Sequence, residues 1–158
     1  MKNRGVLISF ERDQDMTDRD IGRRIITTLI NSDSRLTPEL VSSGEEKCTD
    51  AYENLDDFLN KWWAVEVKMY LNGILSGERY QGPFWRRKSN IKYYASVTHG
   101  LITRKGERTP SQLLLRLNWN KTVDYLKLFR DFASILKPRI AMLHLFSENE
   151  NIQISVKD

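Results

Sequence analysis

The chain has 158 residues, a net charge of +4, 40% hydrophobic and 29% charged residues, one cysteine and two histidines. This is ordinary globular composition, with enough length to bury about 70% of the surface that the unfolded chain exposes. A single cysteine excludes an intrachain disulfide framework and a multi-cysteine zinc site, and two histidines exclude a His-rich metal site; one cysteine also fits a reducing compartment.

Val6–Phe10 is mostly β-branched or apolar and predicts a short strand. This apolar opening is too short for a signal peptide and runs at once into Glu11, Arg12 and Asp13. No window approaches the roughly 18 apolar residues of a membrane span, and neither end of the sequence carries a lipidation motif, so the expected location is cytoplasmic. Thr17 reads as a helix N-cap with Asp20 completing a capping-box variant, and Ile21, Ile25, Ile26, Leu29 and Ile30 recur at helical spacing, predicting a helix over 18–31.

Residues 32–53 are less regular, with Pro38 placed for the first turn of a short helix. From Asn54 a long apolar stripe (Leu55, Phe58, Leu59, Trp62, Trp63, Val67, Tyr70, Leu71, Ile74) predicts a helix with Asp56 and Asp57 in its first turn and Gly77 as its C-terminal cap. The rival over 65–75 is a hairpin turning at Asn72-Gly73.

After the break at Gln81-Gly82-Pro83, residues 91–103 alternate in period 2, as do Leu113, Leu115, Leu117 and Trp119, predicting two strands of one hairpin. With Asn120 as its N-cap, a helix follows on Val123, Leu126, Phe129, Phe132, Ala133 and Leu136. Ile140–Phe146 reads as a central strand covered on both faces, and Ile152, Ile154 and Val156 as a short edge strand. The expected fold is α+β: one domain over 1–158, a single layer of mainly antiparallel sheet with helices packed on one face. Trp62, Trp63, Trp119, Phe129, Phe132 and Leu143 are the expected core.

Charge divides unevenly. Residues 1–79 hold 11 Lys and Arg against 15 Asp and Glu, a net −4; residues 80–158 hold 14 against 6, a net +8. Two partner surfaces follow from this split. The acidic set Glu45, Glu46, Asp50, Glu53, Asp56 and Asp57 lies on a loop and a helix start, where exposed carboxylates steer a basic partner into place. The run Trp85-Arg86-Arg87-Lys88 with Tyr93-Tyr94 combines cations and rings, the ingredients of a single-strand nucleic-acid platform. Chemistry has less to stand on: there is no GxGxxG, P-loop, GxSxG or HExxH pattern. His99 and His144 sit in apolar strands and read as core residues, and Cys48 has no motif around it. No catalytic residue, cofactor or metal is expected, and the chain reads as a binder rather than an enzyme.

Two stretches carry a family resemblance. One is the strand, acidic bend and helix of FERDQDMTDRDIGRRIITTLINSDSRLTPEL, from Phe10, with its Asp33-Ser34-Arg35-Leu36-Thr37-Pro38 segment; the other is the helical LNWNKTVDYLKLFRDFASILKPRIAMLHLF, from Leu117, and the final strands. In element order and hydrophobic pattern over most of the chain these resemble bacterial polymorphic-toxin immunity proteins, in particular the immunity protein 52 family. The resemblance implies a cytoplasmic α+β inhibitor that binds and neutralises a cognate toxin, often a nuclease. A nucleic-acid-binding accessory protein using Trp85, Arg86, Arg87 and Lys88 is the alternative, and nucleic acid the lesser partner.

Overall fold

The computed structural model describes residues 4–44, 46–102 and 105–146. Its strands are β1 (Gly5–Arg12), β2 (Leu40–Ser43), β3 (Asp50–Ala51), β4 (Val65–Leu71), β5 (Ile74–Gln81), β6 (Pro83–Arg87), β7 (Tyr93–Thr98), β8 (Ser111–Asn118) and β9 (Ile140–Leu145). Its helices are α1 (Arg19–Ser32), α2 (Leu55–Lys61) and α3 (Tyr125–Leu136), with a 3₁₀ turn at Ser34–Leu36. Seven strands form one antiparallel sheet in the order β3-β2-β6-β7-β8-β1-β9, and β4 and β5 form a separate hairpin. The fold is α+β.

Alternation sorts the sheet into two faces, because successive side chains of a strand point to opposite sides. One face carries Ile8, Leu115, Ala95, Trp85 and Val41 in register, each fully buried. The helices cover this face. Phe10 stacks on Phe129 of α3 at 5.2 Å, and Phe58 of α2 meets Trp85 edge-on at 5.7 Å. The apolar stripe of α1, Ile25, Ile26 and Leu29, is buried in the same core. Trp63 joins the layers: its indole donates to the Met16 carbonyl at 2.8 Å, and a side chain on Gly22 of α1 would overlap its ring.

Side chains cap the helices. Asp18, not Thr17, caps α1 and accepts from the Asp20 amide. Asn54 caps α2 and accepts from the Asp57 amide at 2.9 Å. Asp124 rather than Asn120 caps α3, while the Asn120 carboxamide oxygen accepts from Thr122.

The long helix expected from Asn54 stops at Lys61. Residues 65–71 and 74–81 form the hairpin instead, with Gly77 inside β5. Asn72 and Gly73 have φ of 51° and 77°, the pair of left-handed residues that a tight two-residue turn needs. Pro38 follows the 3₁₀ turn rather than opening a helix. Ile140–Leu145 is the outermost strand beside β1, not a central one, and Ile140, Met142 and Leu145 are exposed. Trp119 lies one residue past β8 and is 41% exposed, its ring laid on Tyr125 at 5.2 Å. Trp62, Phe129 and Leu143 pack half-buried at the margin of the core, whereas Trp63 and Phe132 are fully buried. The strand expected at 152–156 falls outside the described residues.

Candidate binding surfaces

The second face of the sheet carries no helix. Two cross-strand rows run over it. Met142, Ser9, Leu114, Ser96, Phe84 and Ser42 make one; His144, Leu7, Arg116, Tyr94, Arg86 and Leu40 make the other. Beyond the second row the strands end at Lys88, Lys92 and Asn118, with the Asn118 amide donating to the Lys92 carbonyl at 2.9 Å. A cavity of about 590 Å³ opens at this end of the sheet, lined among others by Arg86, Lys88, Lys92, Tyr94, Arg116 and Phe146.

The basic run is thus divided by the pleat. Trp85 faces the core at 0% exposure and offers no stacking surface, which corrects its expected role. Arg87 is tied down: it donates to the carbonyls of Thr37 at 2.7 Å and Ser89 at 3.1 Å and pairs with Glu39 at 3.6 Å. Glu39 also accepts from the Ser89 hydroxyl and the Lys88 amide, and these bonds hold its carboxyl below its ordinary pKa. Arg86 and Lys88 turn to the cavity. Burial pushes the Tyr94 phenol well up, with Glu46 adding to the shift, so Tyr94 remains a hydroxyl and a donor. Lys92 and Arg116 complete the cation group, yet the run of 85–88 did not point to them. Their signal was the alternation itself: Arg116 sits between the core residues Leu115 and Leu117, and so faces the other way.

The acidic set is divided as well. Asp50, on the edge strand β3, and Glu53 and Asp57, at the start of α2, surround Lys61; Asp57 pairs with it at 2.6 Å. Asp56 reaches α1 and pairs with Arg23 at 2.6 Å. Glu46 stands apart from these, on the Tyr94 side. Glu45 lies outside the described residues. Glu46, Asp50, Glu53 and Asp56 are exposed.

The groups with catalytic potential are built into the scaffold. His99 is buried, and its Nε2–H donates to the Trp63 carbonyl at 2.8 Å; burial lowers its pKa, so the ring is neutral. Burial raises the Cys48 thiol, which accepts from the Ser42 hydroxyl at 3.6 Å. Among the described residues no group of three His, Cys, Asp or Glu is arranged to hold a metal ion, and no helix is long and apolar enough to cross a membrane. Comparison with family models, with curated proteins and with solved structures finds no match for this chain.

Proposed function

We propose that this chain is a cytoplasmic immunity protein, acting by binding rather than catalysis, which neutralises a cognate bacterial toxin through its acidic rim. The observation that supports the reading is the gathering of Asp50, Glu53 and Asp57 about Lys61, with the neighbouring Asp56 exposed, on the short edge strand and first helical turn. Carboxylates at an exposed rim attract a basic surface and speed encounter, and such a surface surrounds the phosphate-binding cleft of a nuclease. Asp50 and Glu53 bear the docking charge, since Asp56 and Asp57 already hold Arg23 and Lys61.

The test is co-expression with the toxin domain encoded by an adjoining gene. The wild-type chain should restore growth, and Asp50→Lys with Glu53→Lys should lose protection at an unchanged melting temperature. Association of the purified pair should slow as salt rises, because exposed charges are screened beyond about 8 Å at physiological ionic strength. Full protection by the doubly reversed variant would remove the rim from the interface.

A further inference from the structure

The open face of the sheet carries a second surface that the toxin reading leaves unused. Arg86 and Arg116 flank Tyr94 in one cross-strand row. Facing residues on antiparallel neighbours lie about 4.5–5.5 Å apart, so the two arginine Cα atoms are about 10 Å from each other. Lys88 and Lys92 each lie two positions further along their chains, about 7 Å on for an extended backbone. The four cations thus share one small patch around a single cavity of about 590 Å³, within the usual 300–1,000 Å³ of a small-molecule site. None of the ion pairs among the described residues involves Arg86, Lys88, Lys92 or Arg116. Arg87, beside them, is held by Glu39 and by backbone carbonyls, so it forms a wall of the cavity rather than a free charge.

Unpaired cations around a cavity attract anions, and the rings beside them narrow the choice. Tyr94 and Phe146 both line the cavity and are half-buried, and the Tyr94 phenol stays protonated as a hydrogen-bond donor. A carboxylate-rich peptide has no use for a ring face, whereas a nucleotide brings a phosphate for the guanidinium forks and a base to stack on the ring. We propose that this cavity binds nucleotide phosphates, with Arg86, Arg116, Lys88 and Lys92 holding the phosphate and Tyr94 or Phe146 receiving the base. Glu46, whose charge acts on Tyr94, bounds the site and limits it to a few nucleotides. The source is either a free nucleotide or one stretch of a single strand. The site lies on the face opposite the helices, apart from Lys61 and its carboxylates, so it stands or falls separately from the toxin reading.

The experiment titrates the full chain against a fluorescein-labelled oligothymidylate of twelve nucleotides and follows anisotropy from 0.05 to 0.2 M salt. AMP, inorganic phosphate and an eight-residue glutamate peptide serve as competitors. Lys92→Gln with Arg116→Gln should weaken binding at least tenfold. Lys88→Gln with Lys92→Gln, both at exposed positions, gives a second variant whose melting temperature should not move and whose binding should also fall severalfold. Each single-strand phosphate neutralised contributes about 0.7 to the slope of log affinity on log salt, so the slope should be about 1–2 and should shrink in both variants. Displacement by AMP at low concentration would identify a free nucleotide as the source, and displacement by unlabelled oligothymidylate alone would identify a strand; both support the site. Undiminished binding in the two folded variants would overturn it, as would displacement by the glutamate peptide as effective as by an oligonucleotide of equal charge. Asp50→Lys with Glu53→Lys should leave oligothymidylate binding within about twofold, so loss of toxin protection there bears on the rim alone.

Discussion

In β8 the side chains of Leu113, Leu115 and Leu117 are at most 2% exposed, while in the hairpin of β4 and β5 those of Tyr70, Leu71 and Ile74 are 59–72% exposed. Both regions are antiparallel and rich in apolar residues. The difference lies in what faces them. The sheet turns one face to three helices, so each alternate residue meets a partner; the two-stranded ribbon stands outside that sandwich, and both of its faces meet water over most of its length. Apolar content therefore did not settle burial here; the presence of an opposing layer did.

The largest effect that sharpens this contrast belongs to Trp63. Trp63→Ala removes a ring that fills the space between Gly22, Phe58 and His99, and should cost about 3–5 kcal/mol. The shift of the urea midpoint measures it, and a shift under 1 kcal/mol would contradict the core assignment. Gly82 comes next, at the junction where the hairpin passes into the sheet. A Cβ built there would lie 1.8 Å from the Val97 carbonyl oxygen, so Gly82→Ala must push β7 away or bend the junction. Overpacking of this kind costs about 1–3 kcal/mol and should appear as a lower melting temperature.

A smaller, pH-dependent effect resides in His99. Its folded pKa is depressed by burial, with the Trp63 hydrogen bond and Asp15 opposing the shift. The unfolded ring takes up its proton near pH 6.5, the folded one only at lower pH, so stability is full above about pH 6.5 and declines as pH falls toward the folded value. His99→Gln should flatten the denaturation midpoint between pH 7 and pH 5 compared with wild type. The smallest effect is expected at the hairpin tip. Leu71→Ser and Ile74→Ser should each stay within about 0.5 kcal/mol of wild type, as exposed substitutions do, and hairpin amides should exchange with solvent before those of β1 and β8. A loss above 2 kcal/mol at either position would mean that the hairpin is buried against a partner in solution.

The sheet was legible because its alternation coincides with burial: Leu113, Leu115 and Leu117 show in the sequence the face they show in the structure. The α1 stripe was legible for the same reason at helical period. The hairpin was misread because Trp62, Trp63, Val67, Tyr70, Leu71 and Ile74 fall on a helical stripe that nothing buries as a unit, and the Asn72-Gly73 turn was the better guide. β9 misled in another way: a continuous apolar run suggests two covered faces, yet a strand at the sheet margin has the same appearance in one dimension. At the basic surface the run of 85–88 located two of four cavity cations. Lys92 and Arg116 are distant in sequence and meet only through the register of β6, β7 and β8, which no local pattern encodes. The acidic set was legible as composition, but its division among Lys61, Arg23 and Tyr94 depends on how α1, α2 and β3 pack.

The placement of β1 also governs the order of assembly. Both of its neighbours come from far along the chain, with Ile8 opposite Leu115 on one side and Leu143 on the other. On a ribosome adding about 5–20 residues per second, the first strand waits roughly ten seconds for its second neighbour to be made. Through that interval Val6, Ile8 and Phe10 have no sheet to join. The hairpin of β4 and β5, joined by two residues, can close within about 10 μs of emerging. The segment that contributes least to the core is thus the first to acquire its shape, and the strand between β8 and β9 is among the last, a sequence of events typical of folds dominated by distant pairings and slow to reach the native state.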